Sequence, residues 1–223
     1  MNAGFGQLGG LAAVGFALVI VLANVVAVPA GLPPTGADLG QVITFFGTRG
    51  DVVAVSSALT PLAWVLATLF GAAAVAAARR SERDRGEAWS LVGFAGVALQ
   101  NAAFAGVVAI RLALAAAPAD AATGLWALHE ALFTLNGTFL ALALVGLSVS
   151  GRRAGLLHPW HGIVGLVAAA LLFGSATLAP VVMDHGGPFG LLGLVGWLLW
   201  VVWLVAYGAA LIRGGGRTPA AVS

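Results

Sequence analysis

Cysteine is absent from this 223-residue chain, which excludes disulfides, thiolate metal sites and thiol nucleophiles. Charge is scarce as well: Asp, Glu, Lys and Arg together make up 8% of the residues, against roughly a quarter in a soluble domain. Lysine is missing altogether, so the basic residues are ten arginines. With Ala, Gly and Val so abundant, that bias resembles the product of a GC-rich bacterial genome. There is no Walker-type phosphate loop, nucleotide-binding glycine pattern, HExxH, serine elbow or zinc spacing. Nothing suggests a nucleic-acid partner.

Hydrophobic residues account for 61% of the chain and the mean hydropathy is +1.03, values of an integral membrane protein. An apolar run of about 20 residues spans the roughly 30 Å hydrocarbon core, and six such runs are found, at about 8–30, 52–78, 89–116, 125–149, 160–183 and 189–212. Backbone polar groups in lipid must be satisfied within the segment, and the alternation of a barrel strand is missing. The expectation is therefore all-α, a polytopic bundle of six transmembrane helices forming one membrane domain over 1–223. The opening "MNAGFGQLGG" has no basic stretch before the first run, which reads as a retained helix rather than a signal peptide.

Orientation follows from the arginines. "ARRSERDRGEA", "SGRRAGLLHP" and the tail "IRGGGRTPAAVS" carry eight of them, all on one side of the six spans. The positive-inside rule makes that side cytoplasmic, with both termini, in the inner (cytoplasmic) membrane. Trp89, Trp126 and Trp160 each stand near the start of a run, where an interfacial ring is expected. On the outer side, "GLPPTGADLGQVITFFGTRGD" begins as a Pro/Gly turn and continues as an amphipathic piece. Its Leu39, Val42, Phe45 and Phe46 would rest in the headgroup layer, and the piece as a whole would cap the bundle.

An ionisable side chain within the hydrocarbon costs about 2.5 to 3.5 kcal/mol on insertion scales, so each one needs a partner and a reason. Arg111 lies near the outer end of the third run and Glu130 about as far past the outer start of the fourth. An antiparallel hairpin centred on residues 120 and 121 puts them at equal depth, which predicts an ion pair, structural or ligand-binding. At 100° per residue, Gln100 shares a face with Arg111, and Thr134 and Thr138 share one with Glu130. A polar seam is expected along these residues, with interhelical hydrogen bonding as the plainer role of each.

His129 lies 100° from Glu130, in line with Phe133 and Asn136. With Asp184 and His185 of the outer loop "MDHGGP", His129 and Glu130 would offer oxygen and imidazole ligands to a metal such as zinc, although the spacing matches no metal motif. A haem between helices would need facing histidines at one depth, which only His129 and His185 approach. In the last run Trp197, Trp200, Trp203 and Tyr207 form a stripe deeper than the usual belt. It reads either as core or as a seat for a greasy ring ligand such as a quinone. Gly186, Gly190 and Gly193 have the small-residue spacing of a helix-packing surface.

The segment "SGRRAGLLHPWHGIVGLVAAALLFGSATLAP", following "LWALHEALFTLNGTFLALALVGL", resembles small six-span membrane proteins of actinobacteria, similar to the group catalogued as domain of unknown function 4386. The resemblance implies a six-span bundle and carries no activity or functional residues with it. The sequence supports a membrane protein that binds a lipid-like or ionic ligand in an outward-facing polar pocket, transporter-like or an accessory subunit. The alternatives are a membrane-embedded enzyme with Glu130 as acid or base, and a purely structural partner of another membrane protein. The sequence implies no particular cofactor.

Overall fold

The computed structural model describes residues 3–185 and 189–214. The elements are α1 (Ala3–Ala27), α2 (Leu39–Thr48), α3 (Gly50–Arg85), α4 (Trp89–Ala116), a 3₁₀ turn (Ala119–Ala121), α5 (Ala122–Arg153), α6 (Pro159–Thr177), α7 (Ala179–His185) and α8 (Gly190–Gly214). The described residues contain no strand. Six helices, α1, α3, α4, α5, α6 and α8, are long and apolar enough to cross a membrane. The expected all-α bundle of six such helices is therefore what the chain builds.

Two boundaries depart from expectation for physical reasons. At about 1.5 Å per residue the 36 residues of α3 reach about 54 Å, well beyond the hydrocarbon, so the helix continues through its arginines to Gly86. That glycine has φ +66°, a left-handed conformation suited to a helix stop. The fifth run is not one helix but two, broken at Leu178. Pro180 has no N–H to continue the α6 ladder back to the Ala176 carbonyl, and it sits instead in the first turn of α7, where that N–H is not needed. Pro61, inside α3, is tolerated because the Thr60 hydroxyl donates to the Ser57 carbonyl at 2.6 Å, satisfying the acceptor that the proline leaves open.

Where helices touch, small residues let backbones meet. In the α4–α5 hairpin a Cβ added to Gly146 would lie 2.3 Å from the Gly93 nitrogen, and one on Gly96 would lie 2.4 Å from the Ala143 nitrogen. Gly10 and Gly208 bring α1 and α8 together in the same way. Of the glycines expected to form a packing surface, Gly193 approaches α6, where an added Cβ would lie 3.0 Å from Ser175 Oγ, whereas nothing lies within 4 Å of one on Gly190. Gly186 lies outside the described residues.

The main core joins Phe16 of α1, Phe70 of α3, Leu144 and Leu147 of α5, and Trp200, Trp203 and Tyr207 of α8. A second, smaller core lies at the other end of α4 and α5. There Val42, Phe45 and Phe46 of α2 pack on Ile110, Leu114 and Trp126. The α2 segment thus caps the bundle as expected, but its apolar face rests on protein, with Leu39 alone of the four exposed. Asp38 fixes its start by accepting from the Gln41 N–H at 3.0 Å.

At the arginine-rich end, Glu87 pairs with Arg153 and with Arg85, and the Ser81 hydroxyl donates to the Arg153 carbonyl. These contacts hold the ends of α3 and α5 and the start of α4 together. Leu156 beside Gly214 adds the end of α8. Seven of the eight expected arginines therefore share one end, and Arg217 lies outside the described residues.

Candidate functional site

The α4–α5 hairpin turns at Ala117–Ala121, so residue 111 faces residue 129 across it. The Arg111 Nε–H donates to His129 Nε2 at 2.9 Å. The ion pair expected between Arg111 and Glu130 is not formed: among the described residues the ion pairs are those of Glu87 with Arg85 and Arg153. The reason is rotation about the helix axis. One residue is 100°, enough to turn position 129 toward α4 and position 130 toward the segment after α1. There Glu130 Oε1 accepts from the Gly36 N–H at 2.5 Å. Gly36 has φ +80°, a turn conformation that glycine adopts without strain.

Because His129 Nε2 is an acceptor, the proton of the neutral ring sits on Nδ1. Among the described residues that nitrogen has no partner, and neither does the indole Nε1 of Trp126. Both residues are deeply buried, with exposures of 4% and 5%. Their rings are stacked, centroids 4.7 Å apart and 11° from parallel, and the Phe133 ring continues the stack at 6.0 Å from His129. The Arg111 guanidinium carbon lies 6.0 Å from the Phe133 centroid, the geometry of a cation–π contact. Phe46 of the α2 cap reaches Trp126 at 6.3 Å. A buried donor without an acceptor costs several kcal/mol in an apolar medium, and here two share one stack beside a guanidinium.

The rest of the expected seam does not join this cluster. Gln100 is eleven residues, about 16 Å of helix, from Arg111. It lines instead a cavity of about 10 Å³ in the main core, with Phe70, Trp200 and Trp203 among its other walls; that is room for no more than one water. Thr134 is buried and Thr138 half-buried, and no hydrogen bond among the described residues links either to Arg111 or Glu130. Asn136, on the same face of α5 as His129, has a buried Oδ1 without a partner.

The aromatic stripe of α8 is core. Trp203 and Tyr207 are 1% and 0% exposed, Trp200 is buried and Trp197 half-buried. Trp200 meets Phe16 edge-on at 5.5 Å, and Phe70 meets Trp203 and Tyr207 at 6.1 and 5.3 Å. The polar tips are used too: Trp203 Nε1–H donates to Ser148 Oγ at 3.0 Å, and His161 Nε2 donates to the Trp203 carbonyl at 2.8 Å. Of the two expectations for Trp197, Trp200, Trp203 and Tyr207, the packing supports core over a quinone seat, and the cavity beside Trp200 and Trp203, about 10 Å³, is too small for a ring ligand.

The weak metal candidates Asp184 and His185 fall where side chains lie outside the described residues. Among the described residues no three of His, Cys, Asp and Glu gather as metal ligands.

Sequence reasoning missed Trp126, Phe133, Phe46 and Gly36 as parts of the site. The spacing of 126, 129 and 133 was the available signal: i, i+3 and i+7 put three flat rings on one helical stripe. The expectation of an interfacial Trp126 masked it, because α5 begins four residues earlier, at Ala122. The chain matches no known family profile, no curated protein and no solved structure.

Proposed function

We propose that this is a multi-pass protein of a bacterial cytoplasmic membrane, related to the six-span group named above. In this reading it binds a lipid-like or ionic ligand at the end of the bundle opposite the arginine-rich one. The arginines argue that this end faces outward. The observation that carries the reading is a pair of buried donors with no partner among the described residues, Trp126 Nε1–H and His129 Nδ1–H, beside Arg111.

Two N–H groups seeking an acceptor, beside a guanidinium, suit a phosphoryl, carboxylate or carbonyl oxygen. The aromatic stack and the α2 cap supply apolar walls for the remainder of an amphiphile. Binding is favoured over chemistry because Glu130, the carboxylate next to His129 in α5, is engaged by the Gly36 backbone and has the role of anchoring the cap-bearing segment. A membrane-embedded enzyme with Glu130 as acid or base, and a purely structural subunit, have no specific observation in their favour.

The test is to purify the protein in mild detergent and identify bound amphiphiles by mass spectrometry and visible absorption. The expected result is a lipid or quinone bearing such an oxygen, lost when Trp126→Phe and His129→Phe are combined in a protein that remains folded. A wild-type protein free of any bound amphiphile, or a double variant that retains it in full, refutes the reading.

A further inference from the structure

At the opposite end of the bundle, a groove of about 310 Å³ opens between α5 and α6, lined by Val149, Arg152, Arg153 and Leu166. Arg153 is held by Glu87. Arg152 has no carboxylate within ion-pair distance among the described residues. Its stem is nevertheless placed: a Cβ added to Gly162 of α6 would lie 2.1 Å from Arg152 Cδ and 2.8 Å from Cγ. The absence of a side chain at Gly162 is what lets the Arg152 stem lie on the α6 backbone. The guanidinium is thereby presented, unneutralised, at the groove's mouth.

The floor is of the other kind. Val149 is one turn from Arg152 on the same face of α5, and Leu166 is one turn, about 6 Å, past Gly162 on α6; both are half-buried. Trp160, at the start of α6 and 51% exposed, marks this level as that of the headgroups. A cation at headgroup depth above an apolar channel running inward is complementary to one class of molecule.

We propose that this groove holds an anionic phospholipid, its phosphate on the Arg152 guanidinium and one acyl chain over Val149 and Leu166. A planar guanidinium takes a phosphate through two parallel N–H···O bonds. A free inorganic anion would satisfy the arginine but leave the apolar walls uncovered. A zwitterionic lipid would bring its own cation to a site that already has one.

The test is a thermal-unfolding titration of the full chain in neutral detergent with phosphatidylglycerol, phosphatidylcholine or inorganic phosphate. Phosphatidylglycerol is expected to raise the midpoint saturably, while phosphatidylcholine and inorganic phosphate at the same concentrations do not. Arg152→Gln should raise the half-saturating concentration by about fivefold or more, the value of one basic residue at an anionic surface. Gly162→Ala, which keeps every charge but displaces the Arg152 stem, should weaken the response in the same direction. Arg213→Gln, exposed at the same end, should leave it unchanged. Equal losses from Arg152→Gln and Arg213→Gln would show only diffuse surface attraction. A response to inorganic phosphate equal to that of the lipid, or none lost in Arg152→Gln, would overturn the proposal outright.

Discussion

Gly146→Ala is the smallest change that tests how the α4–α5 hairpin is held. The new methyl would stand 2.3 Å from the Gly93 nitrogen, 2.5 Å from its Cα and 2.7 Å from the Trp89 carbonyl oxygen. All three are backbone atoms of α4, so no rotamer change relieves the clash and the helices themselves must part, by about 1 Å to reach ordinary contact. On a dispersion potential a gap of about 0.5 to 1 Å already forfeits a quarter to a half of each contact along the seam. Overpacking of this kind costs about 1 to 3 kcal/mol, and the rigid neighbours place this case in the upper half. Against it stands the better helix propensity of alanine, up to about 1 kcal/mol. The clash wins, and a net loss of about 1 to 2 kcal/mol is expected. Gly174→Ala in α6 is the control, because nothing lies within 4 Å of its added Cβ and only the propensity gain remains. Unfolding of both variants in the same detergent, followed by helical circular dichroism, gives the comparison. If Gly146→Ala is as stable as Gly174→Ala, backbone contact at Gly93 and Gly146 does not hold the hairpin.

Two further predictions concern the arginine-rich end. The hydrogen bond from Arg153, with help from Arg85, holds the Glu87 carboxyl below its ordinary value. A group depressed in the folded state contributes stability above its unfolded value, about 4.3 for Glu, and loses it as pH falls through the folded one. The stability difference between wild type and Glu87→Gln should therefore be flat from pH 7 to 5 and shrink below about pH 4; a difference that grows on acidification contradicts the assignment. Reporter fusions after Arg85 and within residues 31–51 should report opposite sides of the membrane, the first cytoplasmic, and a cytoplasmic signal from both would break the topology.

What was legible in the sequence divides along a physical line, depth against azimuth. Depth is set by the bilayer: an apolar stretch must be about 20 residues long, and an antiparallel hairpin equates positions equidistant from its turn. Six spans, the common end of the arginines and the level of Arg111 could all be read for that reason. Azimuth is set by which helices become neighbours, which no single sequence states. Arg111 had two polar candidates at one level, and the 100° between His129 and Glu130 decided for the one facing α4. The other went to Gly36, 94 residues away in sequence, a contact that no periodicity along α5 encodes. The same ambiguity explains the aromatic stripe of α8. Its spacing establishes a face, but only the presence of Phe16 and Phe70 opposite makes that face core rather than a ligand seat. Glycine spacing was an incomplete guide likewise: Gly193 approaches Ser175 of α6 but Gly190 meets nothing, whereas Gly146 acts through its opposition to Gly93 on a different helix.

The distinction also explains why, in the proposed reading, the donors without a partner among the described residues count for more than the half-buried Arg111. Arg111 could be placed by depth alone and satisfied by whichever polar residue faced it. Trp126 and His129 are held at their azimuth by stacking on each other and on Phe133. Their N–H groups therefore cannot turn to find an acceptor without breaking the stack. In a medium where each unsatisfied donor costs several kcal/mol, the proposed ligand offsets that cost by bringing the acceptor. If Trp126→Phe and His129→Phe together stabilise the protein in detergent while abolishing its bound amphiphile, the donors serve the ligand at the expense of the fold. If they destabilise it with the amphiphile retained, the stack is packing, and the outward site is lost with it.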